Sequence, residues 1–139
     1  MDHTADVGLK AWGISLPHLF FRVTKGMLFI LSSPQKMEKG EKIEIEVEAD
    51  SAEELLRSWL KEILYVIEDQ ALVIRTFHFE SIFIGKQQAT PCYLKGFLVG
   101  EPFKSSRHNF CTEIKAITRH DFKIKKSFFI WKANLIFDV

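Results

Sequence analysis

Carboxylates stand near both ends of this sequence, each against a strand-like run. Asp6 follows Asp2-His3-Thr4-Ala5 and precedes Val7 to Ile14, while Asp138 closes the run Trp131 to Phe137 and is followed by Val139. If those two runs lie side by side, Asp6, Asp138 and the carboxylate of Val139 converge. Three hard oxygen donors suit a divalent cation such as Ca²⁺ or Mg²⁺. The same residues also fit a turn aspartate at Asp6 and a solvated chain end at Asp138, and spacing alone favours that plainer reading. The remaining chemistry-bearing residues form no known constellation. H-E-x-x-H, the P-loop pattern and G-x-S-x-G are absent. Ser105 and Ser106 precede His108, but no carboxylate nearby in sequence would orient its imidazole. His3, His18, His78 and His120 are scattered and read as polar surface or supporting residues. Lys115 sits on an alternating run, where it could pair with Glu101 or Glu113 or stand in solvent.

Those residues need elements to place them, and length and composition limit what the elements are. At 139 residues, 47% hydrophobic and 27% charged, the chain is expected to fold as one domain, residues 1–139. Most of the 13 phenylalanines are expected in its core. The formal net charge is +1, so no global field recruits nucleic acid. The charge is nevertheless uneven: Glu38 to Asp69 holds 11 acidic and 4 basic residues, whereas Lys95 to Lys132 holds 9 basic and 3 acidic. Such a split either presents a basic face to a partner or makes two solvated faces. Cys92 and Cys111 form no C-x-x-C and read as reduced, buried thiols. The longest apolar runs are too short to span a membrane, and no leader is visible. A soluble, cytoplasmic protein is the expectation.

Val7 to Trp12 alternates as a strand. Ser15 is a suitable N-cap and Pro17 fits a first helical turn. Leu16, Leu19, Phe20, Val23, Met27, Ile30 and Leu31 then recur at helical spacing, ending near Ser32-Ser33-Pro34. Gly26 inside this helix implies close packing against a sheet. Ile43, Ile45 and Val47 alternate with glutamates as a half-exposed strand. Ser51 and Glu54 fit a capping box ahead of a stripe of Leu55, Leu56, Trp59, Leu60, Ile63, Leu64 and Ile67, stopping near Asp69-Gln70. Strands are expected over Leu72 to Ile84 and Tyr93 to Val99 around a loop at Gly85 to Pro91. A polar loop from Gly100 to Asn109 follows, then strands over Phe110 to Thr118, Phe122 to Lys126 and Phe128 to Phe137. Strand, helix, strand, helix and a meander make an α+β fold, two amphipathic helices on a mainly antiparallel sheet.

Several stretches together resemble the archease family: Asp2-His3-Thr4-Ala5-Asp6 with Gly8, Trp12 and Gly13; Leu55-Leu56 with Trp59-Leu60 and Leu64-Tyr65; Gly100-Glu101-Pro102; Arg107-His108; Thr112 to Thr118; and Ile136-Phe137-Asp138-Val139. The resemblance implies a non-enzymatic protein that assists an RtcB-type RNA ligase, promoting its guanylylation and turnover with GTP in tRNA splicing and RNA repair. RNA would be met through the ligase, and no membrane is involved. It implies a calcium site made by Asp6, Asp138 and Val139, with Asp2, His3, Glu101, His108 and Lys115 supporting the site or meeting the partner. It also implies an archease-like α+β fold. The chain departs from the family pattern in a first helix carrying His18, Arg22 and Lys25, in Lys104-Ser105-Ser106, and in Phe128-Phe129-Ile130-Trp131, which stands where a glycine turn is usual. Two other readings compete. One is a metal-dependent hydrolase of a small phosphorylated or nucleotide substrate, which further needs a base, an open coordination position and a pocket. The other is a general RNA-binding or tRNA-modification accessory protein using Lys115, Lys123, Lys125 and Lys126, with salt-dependent affinity.

Overall fold

The first strand, β1 (Asp6–Gly13), owes its form to period-two alternation, and it begins at Asp6 itself. The computed structural model describes residues 5–31, 40–86, 90–104 and 112–139. Its contacts divide into two units, one formed by residues 1–31 with 112–139 and the other by residues 32–111. Two helices and seven strands lie within the described residues. No described helix is long and apolar enough to cross a membrane.

In the first unit, β1 leads into α1 (Leu16–Leu31). The Ser15 carbonyl accepts from the Leu19 amide at 2.9 Å, and its hydroxyl accepts from the His18 amide at 3.2 Å. His18 reciprocates, its Nδ1 accepting from the Ile14 amide at 3.1 Å, so this histidine is part of a helix cap rather than a site. Leu19, Phe20, Val23, Thr24, Met27 and Leu31 are the buried stripe. The Thr24 hydroxyl is satisfied by the Phe20 carbonyl at 2.7 Å. A Cβ placed on Gly26 would lie 2.9 Å from Leu9 Cδ1, so the helix does approach the sheet closely there. The strands β5 (Ala116–Ile117), β6 (Lys123–Ser127) and β7 (Ile130–Asp138) complete this unit. β7 is central: β1 lies antiparallel on one side, and β5 and β6 share the other. Ala133, Leu135 and Phe137 of β7 are buried with Ala11 and Ile117.

In the second unit, β2 (Glu41–Ala49), β3 (Leu72–Phe83) and β4 (Cys92–Pro102) form an antiparallel sheet of order β2-β4-β3. α2 (Ala52–Gln70) packs on it. The Ser51 hydroxyl accepts from the Glu54 amide at 3.1 Å, as the capping box requires, and Glu53 and Glu54 complement the helix dipole. Ala71 ends α2 with φ 50°, a left-handed cap made without glycine. Gly96 lets α2 and β3 close on β4, since a Cβ there would lie 2.5 Å from the His78 carbonyl oxygen and 3.0 Å from Trp59.

The α+β class and the two helices stand as expected, with the antiparallel strands divided between two sheets. Four expectations need correction. Val66 is buried in α2 while Leu64 and Ile67 are half-buried, because successive spacings of four and then three from Trp59 place Ile63 and Val66 on the inner face. Strand β4 runs through Gly100-Glu101-Pro102 instead of ending at a loop. Within Phe110 to Thr118, only Ala116 and Ile117 pair as a strand among the described residues. Phe128 lies in a turn rather than in β7. Phenylalanine is also less internal than expected: Phe21, Phe29, Phe83, Phe103, Phe128 and Phe129 are all exposed. Cys92 is buried and free, while Cys111 lies outside the described residues.

Candidate divalent-cation site

Antiparallel pairing of β1 with β7 sets Asp6 directly opposite Asp138. The Val139 amide donates to the Ala5 carbonyl at 3.0 Å, which makes Ala5 and Val139 a hydrogen-bonded pair. Asp6 and Asp138 are therefore a non-hydrogen-bonded pair, the arrangement in which facing side chains come closest. Like charges so placed repel each other. The next pair along the same face is Gly8 with Ile136, and a Cβ on Gly8 would meet nothing within 4 Å. The missing side chain keeps that flank of the carboxylate pair open.

On the other side of β7, Ala116 is the register partner of Asp138, and the Lys115 amide donates to the Asp138 carbonyl at 2.7 Å. Lys115 is exposed, and its neighbours Ile114 and Ile117 are buried. β5 and the residue before it thus fix the backbone of Asp138. The Asp138 Oδ1 atom is buried without a hydrogen-bond partner among the described residues. An unsatisfied buried carboxylate oxygen is costly, and a hard cation is the kind of group that would satisfy it. Among the described residues no three His, Cys, Asp or Glu side chains come together as a metal-binding group.

Of the supporting residues, Asp2, His3 and His108 lie outside the described residues. Glu101 belongs to the second unit, on β4 opposite Val73, where it is 5% exposed. Sequence reasoning did not find the role of Gly8 or of Ala5; the first has no side chain to signal it, and the second acts through its carbonyl.

The Archease protein family model matches residues 1–139. The chain is similar to the protein archease of Pyrococcus furiosus, with 34% identity over 99% of this chain and 95% of that one. It is similar to the protein archease of Methanopyrus kandleri, with 28% identity over 100% and 96%. Among solved structures it resembles the solution structure of Methanobacterium thermoautotrophicum protein 1598, with TM-score 0.76, 27% identity and coverage of 100% and 96%. It also shares its fold with an archease of Thermotoga maritima described as a possible chaperone, with TM-score 0.62, 18% identity and coverage of 100% and 94%.

Proposed function

The chain belongs to the archease family, and from that membership we propose that it is a non-enzymatic, Ca²⁺-binding activator of an RtcB-type, GTP-dependent RNA ligase. Asp6, Asp138 and the Val139 carboxylate would hold the ion. The observation that carries the reading is the Asp6–Asp138 cross-strand pair, with Asp138 Oδ1 buried and unpartnered among the described residues. When bound, the cation supplies positive charge that offsets the carboxylate repulsion and leaves coordination positions for further oxygen donors. The chain's own part is positional. The β1–β7 ladder sets the spacing of the carboxylates, β5 holds the Asp138 backbone, and Gly8 leaves the approach open.

Lys115 beside this end of the sheet would meet the ligase or temper the local negative charge. The activator role places tRNA splicing and RNA repair downstream, with RNA met through the ligase, in the cytoplasm. Purified protein is to be added to a partner ligase with GTP and RNA ends, with and without Ca²⁺, following covalent guanylylation and multiple-turnover joining. Faster guanylylation that depends on Asp6 and Asp138 supports the reading; ligase kinetics unchanged by saturating protein overturn it.

A further inference from the structure

The solvent side of the first unit's sheet carries a second patch, away from the carboxylate pair. Alternation puts Lys10 and Trp12 of β1, Lys132 and Asn134 of β7, and Lys123 and Lys125 of β6 on the face opposite the buried Ala133, Leu135 and Phe137. All six are exposed, and the Arg22 guanidinium lies over one side of the Trp12 ring, 5.8 Å from its centroid. The register sets them in two rows across three strands, Trp12–Lys132–Lys125 and Lys10–Asn134–Lys123. Lysines two residues apart on a strand stand about 7 Å from each other, and Asp138 lies about 13 Å along β7 from Asn134. No acidic side chain falls within either row. The acid nearest in sequence, Asp121, has Oδ2 3.2 Å from His120 Nε2.

Along β6 and β7 this face leads to their connecting turn, where Phe128 and Phe129 are 90% and 87% exposed between the paired residues Ser127 and Ile130. Phe128 holds φ 56°, a conformation unfavourable for a bulky residue. The strain at Phe128 and the exposure of both rings gain nothing for packing, so they motivate a search for what the rings contact.

We propose that this sheet face binds single-stranded nucleic acid, the four lysines tracking the phosphodiester backbone while Trp12 and the turn phenylalanines stack on unpaired bases. Lysines without intervening acids complement a polyanion. Exposed aromatic rings add a sequence-tolerant stacking surface that a duplex, whose bases are already stacked, does not offer. The set differs from the one sequence reading suggested, since Lys126 lies over the Trp131 ring at 5.3 Å on the other face and Lys115 precedes β5, outside both rows. The inference is independent of the calcium and ligase reading, because it uses none of the same side chains.

The test is fluorescence anisotropy with a short labelled oligouridylate, its duplex with oligoadenylate, and phosphatidylserine vesicles, in Ca²⁺-free buffer across about 50–200 mM salt. The single strand is expected to bind in preference to duplex and vesicles. The logarithmic salt slope should be about −3, at roughly −0.7 per phosphate neutralised. The double variant Lys125→Glu/Lys132→Glu should weaken binding at least tenfold, and Trp12→Leu should weaken it with the slope kept. Circular dichroism of each variant verifies the fold. Unchanged affinity in the double variant, equal binding of duplex, or binding of vesicles in place of the strand overturns the proposal.

Discussion

Asp6 and Asp138, the first residue of β1 and the last of β7, face each other as a non-hydrogen-bonded pair in an antiparallel ladder. That juxtaposition is unfavourable for two carboxylates unless something positive lies between or beside them. The pair therefore sets opposite requirements on fold stability and on ion binding, and substitutions separate them.

Replacing Asp138 with Asn removes one of the facing charges while keeping the shape. Without Ca²⁺ the variant is expected to be as stable as the parent, or more stable by about 0.2–1 kcal/mol. With Ca²⁺ at 100 times its Kd the parent should gain about 2.7 kcal/mol and the variant almost none. Thermal melts with and without Ca²⁺ give both numbers. A variant that is less stable without Ca²⁺ and equally stabilised by it would remove Asp138 from the site.

The Val139 carboxylate is tested by chemistry at the chain end. If that carboxylate is the proposed third ligand, amidation or a C-terminal tag makes it neutral, so Ca²⁺ affinity should fall in both forms relative to untagged protein. Calorimetric titration compares the three. Equal affinities would mean that two aspartates alone account for any binding.

For Lys115→Ala, stability should change within about ±0.5 kcal/mol, since the side chain is exposed. Ligase activation is expected to drop several-fold at matched concentration. Activation equal to that of the parent at every concentration would leave Lys115 as a surface residue.

Two glycines give contrasting outcomes. Gly96→Ala pushes a Cβ to 2.5 Å from the rigid His78 carbonyl and should cost about 1–3 kcal/mol. Gly26→Ala meets only the end of the Leu9 side chain, which can rotate, and alanine gains about 1 kcal/mol of helix propensity. Its net effect should lie within about 1 kcal/mol of zero. Urea unfolding of the two variants resolves the difference.

Phe128→Gly relieves the left-handed backbone, where an L-residue pays about 1–2 kcal/mol, against glycine's own entropic cost of about 0.5–1 kcal/mol. A stability gain of about 0.5–1 kcal/mol is expected, together with weaker binding of the oligouridylate. Gained stability with unaltered binding would detach the turn from the lysine face.

Much of this protein was determined locally. The helix stripes of Leu19-Phe20-Val23-Met27 and Leu55-Trp59-Ile63, the Ser51 cap and the alternation of β2 are set by side-chain periodicity and backbone donors, so the two helices and their limits were legible in order. The family motifs, Asp6 and Asp138 among them, were equally legible as residue types. What the sequence could not supply was pairing. Whether Asp6 was a turn residue or a strand residue opposite Asp138 depended on β1 finding β7 across more than a hundred residues, and only the β1–β7 register decided it. The same register gathered Lys10, Lys132, Lys123 and Lys125 on one face and sent Lys126 to the other. Strand alternation assigns each residue a side, but which strands share that side is fixed by long-range hydrogen bonding and core packing, and these exist only once the chain has folded.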